Sequence, residues 1–166
     1  MLRVVIVARS LDHGREVAAP LRQGGLHVVS VCEAEADALT AVQVYRPDAV
    51  LLDLGLGRER VASVIGRLHD VLSLPVLLLS SLTEDEVPAA IEALCLGAAD
   101  VIGEPGAYTP AGRRQAPEEI VGAVRMAVRI GHQARNGQRS AKERTPATGH
   151  GAALHKTARP WLTVTP

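Results

Sequence analysis

Short β-branched or leucine-rich runs recur at residues 3–7, 27–31, 49–52, 75–79 and 100–102, and each predicts a strand. The stretches between them carry helical spacing instead. Val61, Ile65, Leu68 and Leu72 fall at i, i+4, i+7 and i+11, one face of a helix. Val87, Ala90, Ile91, Leu94 and Cys95 make a second stripe, and Ile120, Val124 and Val128, with Val121 beside them, a third. A helix over Leu11–Gln23 stops at Gly24-Gly25, and one over residues 34–45 ends before Arg46-Pro47. Thr83, followed by Glu84, Asp85 and Glu86, predicts an N-cap with acids in the first turn.

Five βα units in tandem imply an α/β fold, a five-stranded parallel sheet with helices on both faces. Right-handed crossovers put every strand C-terminus on one edge. Chemistry in such sheets sits beyond that edge, where the strand order reverses. The rule selects Ala8, Arg9 and Ser10 after the first strand, Asp53 after the third, Ser80 and Ser81 after the fourth, and Glu104 and Pro105 after the fifth.

Composition refines this picture. Hydrophobic residues are 47% of the 166, but aromatics are only 2% and Phe is absent, so the core must be aliphatic. That suits a sheet buried on both faces. Residues 1–130 hold 12 Arg, no Lys and 17 acids, a balance of −5, whereas residues 131–166 carry +5. The pattern fades from about Gly131, so residues 1–130 read as the domain and 131–166 as a basic flexible tail or linker. The tail histidines lack paired cysteines or carboxylates, which argues against a metal site there. Its charge supports at most weak, salt-sensitive adhesion to nucleic acid. Cys32 and Cys95, in apolar contexts without a spacing motif, read as small buried thiols. No run suits a signal peptide or a membrane span, so a soluble, cytoplasmic protein is expected.

VVIVARS, PDAVLLDLGLG, PVLLLSSLTEDE and ALCLGAADVIGEP together resemble the receiver domain of response regulators, a flavodoxin-like fold. More narrowly, SSLTEDEVPAAIEALCLGAADVIGEP is similar to the receiver half of chemotaxis protein-glutamate methylesterases. The resemblance covers residues 2 to about 130. It implies a phosphoacceptor position at Asp53, fed by a histidine kinase, and a phosphoryl-contacting hydroxyl at Ser80. The family's acidic pair, which helps hold Mg²⁺, is replaced by Ala8 and Arg9, and its lysine by Glu104. Its aromatic switch position is Val101, Gly57 stands in place of the usual Pro, and Val61 in place of a frequent Gly.

Phosphoryl transfer to a carboxylate relies on positioning and charge neutralisation, and Mg²⁺ wants oxygen ligands. With Arg9 beside Asp53 and no lysine within residues 1–130, Mg²⁺ binding is expected to be weak or lost. Arg9 could bridge Asp53 and Glu104 through its forked donors, replacing both cation and lysine. The alternative is drift in a disused pocket, with Arg9 solvated. Neither a dinucleotide fingerprint nor a Ser-His-Asp triad is present, and His13 and His69 read as exposed helix residues. Residues 131–166 supply no methylesterase domain, so no catalytic residue and no enzyme activity is expected.

The leading expectation is a pseudo-receiver, a phosphorylation-independent interaction module in two-component or chemosensory signalling. Its partners would be signalling proteins, such as a histidine kinase or a chemosensory component, with a homodimer left open. The alternatives are a working response regulator phosphorylated on Asp53, and the regulatory fragment of a methylesterase.

Overall fold

A computed structural model describes residues 1–71, 73–109 and 111–143, with side chains described through 134 apart from Val71. The order is β1 (Arg3–Val7), α1 (Leu11–Gln23), β2 (His27–Cys32), α2 (Glu35–Tyr45), β3 (Ala49–Asp53), α3 (Arg58–Val71), β4 (Val76–Ser80), α4 (Val87–Cys95), β5 (Asp100–Gly103) and α5 (Pro117–Glu143). Short 3₁₀ turns at Leu54–Leu56 and Glu84–Glu86 lead into α3 and α4.

All pairings are parallel, and the sheet order is β2-β1-β3-β4-β5. The chain runs outward from β1 to β2, then returns to lay β3, β4 and β5 on the other side. Strand order therefore reverses between β1 and β3, which opens a crevice at their carboxyl ends.

Strand alternation divides the core in two. Val5, Val7, Val50, Leu52 and Leu78 pack with α2, α3 and α4, while Val4, Ile6, Leu51, Leu77, Leu79 and Ile102 pack with α1 and α5. Both faces are buried aliphatic surface, as the Phe-free composition requires. Asp53 continues the alternation of Leu51, which turns it toward the start of α1.

Four departures from the sequence pattern stand out. In α4 most of the stripe faces outward: Val87, Ile91, Leu94 and Cys95 are exposed, Ala90 packs half-buried on the core, and Ala93 is the buried residue. A small side chain lets α4 approach the sheet closely, so the larger residues are left outside. Of the two thiols, only Cys32 is buried. Thr83 occupies an N-cap position but makes no capping bond with its side chain.

The fourth departure is α5, which runs unbroken through Gly131 to Glu143, so the boundary read near residue 130 falls inside a helix. Gln133, Ala134, Arg135, Gln138, Arg139, Ala141 and Lys142 are good helix formers that offset the two glycines. At Gly131 the helix passes Pro75, at the amino-terminal edge of the sheet. The rest of the tail reading, residues 144–166, lies outside the described residues, as does Leu72. No helix among the described residues is long and apolar enough to cross a membrane.

Candidate functional site

Asp53 ends β3 fully buried, with its side chain 0% exposed. Its Oδ1 accepts from the Gly55 amide at 2.7 Å, capping the turn that follows, and its Oδ2 accepts from the Arg9 amide at 3.0 Å. Two backbone donors thus orient the carboxylate toward β1.

The Arg9 side chain folds back over that carboxylate. Nη1 lies 3.5 Å from Asp53 Oδ1, and Nη2 donates to Glu104 Oε1 and Oε2, both at 3.2 Å. One guanidinium spans two carboxylates that sit 51 positions apart in sequence. Gly55 makes room for it, since a Cβ there would collide with the guanidinium. Glu104 is held by its own amide, which donates to the Ser80 carbonyl at 2.9 Å.

His13 joins this cluster, against the expectation of a surface histidine. Ser10 caps α1 by accepting from the His13 amide at 3.2 Å, which aims the first turn across the sheet edge. The imidazole is only 13% exposed, with Nε2 3.2 Å from Glu104 Oε1, 3.1 Å from Arg9 Nη2 and 3.7 Å from Asp53 Oδ2. The signal in the sequence was a residue three positions after a capping serine, in the first turn facing the crevice. His69 is exposed, with Nε2 3.2 Å from the Gly97 carbonyl.

Ser80 is buried, and its hydroxyl is committed elsewhere. Oγ donates to Glu86 Oε2 at 2.6 Å and accepts from the Leu82 amide at 2.9 Å. Glu86 also takes the Ser81 amide at 2.9 Å and the Ser81 hydroxyl at 2.8 Å. Thr83-x-x-Glu86 has the spacing of a capping box, but the acid serves the two serines rather than the threonine backbone. Ala8 is a fully buried methyl in the core packed by α1 and α5. Val101 pairs with Leu78 and packs, half-buried, on the opposite core, away from this cluster.

Receivers use Mg²⁺, so the donor set can be compared with that ion's demands. Mg²⁺ takes near-octahedral oxygen ligands and several waters. Here Ala8 offers no ligand, Arg9 places a cation over Asp53, and the third nearby donor is an imidazole. These residues do not fit Mg²⁺.

No family model matches the chain. A protein-glutamate methylesterase/protein-glutamine glutaminase from Saccharophagus degradans is 33% identical over 96 residues, covering 56% of this chain and 28% of that protein. The chain spans between 28% and 45% of the length of eight such curated relatives, which bear that name, and their methylesterase part has no counterpart in these 166 residues. Among solved structures, the response regulator domain of Thermotoga maritima CheB is 26% identical with a TM-score of 0.62, covering 78% of this chain and 97% of that one. The signal receiver domain of NarL from Mycobacterium tuberculosis is also 26% identical, with a TM-score of 0.63 over 77% of this chain and 96% of that one. The chain has the fold of a response-regulator receiver domain, and its sequence likeness runs to the receiver half of protein-glutamate methylesterases.

Proposed function

We propose that this chain is a pseudo-receiver, a protein-interaction module of a two-component or chemosensory pathway that works without phosphorylation of Asp53. The observation that carries this reading is the Arg9 guanidinium lodged between Asp53 and Glu104. An internal cation stands where an incoming phosphoryl group and its metal would need to be. Glu104 adds a negative charge that would repel that group, and residues 1–130 hold no lysine to offset it. The Ser80 hydroxyl, already bonded to Glu86, supports the same reading.

An interaction module needs a surface. α4 presents Val87, Ile91 and Leu94 outward in a helical row, and Met126 and Ile130 are exposed on α5. Together with β5 these form the face proposed to meet a signalling partner in the cytoplasm, either a histidine kinase, a chemosensory component or a second copy of this chain.

The experiment is incubation with acetyl phosphate, or beryllofluoride, plus Mg²⁺, read by intact mass and by amide NMR shifts. The expected result is no adduct and no shift around residues 53–58 or 80–86. A mass increase of one phosphoryl group that vanishes in Asp53→Ala would overturn the proposal and favour a working response regulator.

A further inference from the structure

The donors around Arg9 resemble a ligand set that another kind of ion would accept. His13 Nε2 and one oxygen each from Asp53 and Glu104 all lie within 4.8 Å of one another. A tetrahedral ion bound at about 2.1 Å to nitrogen and oxygen separates its ligands by about 3.4 Å. The distances from His13 Nε2 to Glu104 Oε1 and Asp53 Oδ2, 3.2 and 3.7 Å, bracket that value. All three side chains are strongly shielded from solvent, and each comes from a different element: α1, the end of β3, and the residue after β5.

We infer that His13, Asp53 and Glu104 form a binding site for a borderline divalent transition-metal ion of the Zn²⁺ type, alternative to and exclusive of the Arg9 guanidinium. An imidazole with two carboxylates is a donor set that Zn²⁺ or Co²⁺ accepts readily and Mg²⁺ does not. Three protein ligands leave a fourth position open for water or a small anion.

The electrostatics favour one cation at a time. With Arg9 in place the two carboxylates and one guanidinium sum to −1, whereas a divalent ion in its stead brings the sum to zero. Nη2 of Arg9 already occupies the neighbourhood of His13 Nε2 and Glu104 Oε1, so both cations cannot share it. Arg9 has a way out, because its side chain is 39% exposed. Asp53 would keep both backbone donors when the guanidinium leaves, since those bonds come from the Gly55 and Arg9 amides. The ion would thus exchange with Arg9 without dismantling the sheet edge.

This inference stands on donor geometry and does not depend on whether Asp53 takes phosphate. The test needs no phosphodonor, so the two can fail separately. The full chain is titrated with Co²⁺, followed by the visible bands of four-coordinate cobalt, and with Zn²⁺ by calorimetry in the presence of excess Mg²⁺. The expected result is one saturable ion per chain, resistant to Mg²⁺. His13→Ala and Glu104→Gln should each weaken it by about tenfold or more, as loss of a direct ligand costs at least what loss of a supporting partner does. Arg9→Ala should tighten it. Glu104→Gln preserves the size and shape of the side chain and keeps the test open if His13→Ala folds poorly. Absence of cobalt bands, or binding equal in wild type, His13→Ala and Glu104→Gln, would overturn the inference. The latter outcome would assign the ion to donors elsewhere in the chain.

Discussion

Replacing Arg9 by alanine removes the guanidinium from between two carboxylates, and the cost can be bracketed from the geometry. At 3.5 Å from Asp53, with the effective dielectric of about 20 suited to such sites, the gross attraction is about 5 kcal/mol. Much of this is offset by desolvation, and Arg9 is 39% exposed, so water reclaims part of the rest. Exposed pairs are worth about 1 kcal/mol or less, and breaking a buried pair costs about 3–5. Arg9→Ala should fall between, near 2 kcal/mol. Part of that is lost packing of the arginine stem rather than charge. A double-mutant cycle with Asp53→Asn removes that part, because asparagine keeps an acceptor for the Gly55 amide while losing the charge. The expected coupling is about 1–2 kcal/mol. Urea unfolding followed by far-ultraviolet circular dichroism is the suitable assay, since the single Trp, at position 161, lies outside the described fold. With a urea slope of about 2 kcal/mol per molar, Arg9→Ala should lower the midpoint by about 1 M. A coupling below about 0.3 kcal/mol would refute the ion-pair reading and leave Arg9 as a solvated side chain in a disused pocket.

Four other outcomes follow from the same structure. Gly55→Ala should eject the Arg9 guanidinium, whose flexible end gives way to the new Cβ, so the fold should persist while the Arg9–Asp53 coupling disappears from the same cycle. Glu86→Ala strips three hydrogen-bonding groups of their acceptor and should cost about 1–3 kcal/mol, with faster amide exchange at residues 81–86. Thiol labelling followed by mass spectrometry should modify exposed Cys95 rapidly and Cys32 slowly, because burial raises the Cys32 thiol pKa, an effect its hydrogen bond with Ser30 only partly opposes. Arg113 holds the Glu119 carboxyl below its ordinary value, so the stabilisation of the β5–α5 connection is full above the usual carboxylate range and is lost as pH falls through the lowered value. Amide exchange at residues 104–109 and 111–116 should quicken only on acidification below about pH 4, and Arg113→Ala should weaken that dependence, leaving the Ala116 and Gln115 hydrogen bonds to Glu119.

The strands were legible because a sheet buried on both faces leaves uninterrupted aliphatic runs such as VVIV, AVLL and VLLL. The crevice was legible for a topological reason: right-handed crossovers send Arg9, Asp53 and Glu104 to one edge wherever the strand ends fall. What periodicity could not show is how a helix meets that edge. A 3.6-residue stripe assigns His13 to the surface, but the Ser10 cap orients the first turn of α1 over the crevice instead. The same blindness inverted α4, where burial follows the small Ala93 and not the large Ile91. Glu86 was seen as an acid in a first turn, a role that says nothing of the two serines upstream whose hydrogen bonds it collects.

The length of α5 has a mechanical consequence. A helix of 27 residues is about 40 Å long, while a five-residue strand spans about 17 Å. It starts beside the Arg113–Glu119 clasp at the carboxyl edge of the sheet and passes Pro75 at Gly131. The 12 residues after Gly131 therefore carry it about 18 Å past the opposite edge. Such a helix is a strut that starts near the Asp53 edge and extends past the opposite edge for nearly half its length. A load applied to its far end would be transmitted, with the leverage of its length, to the connection that carries Glu104.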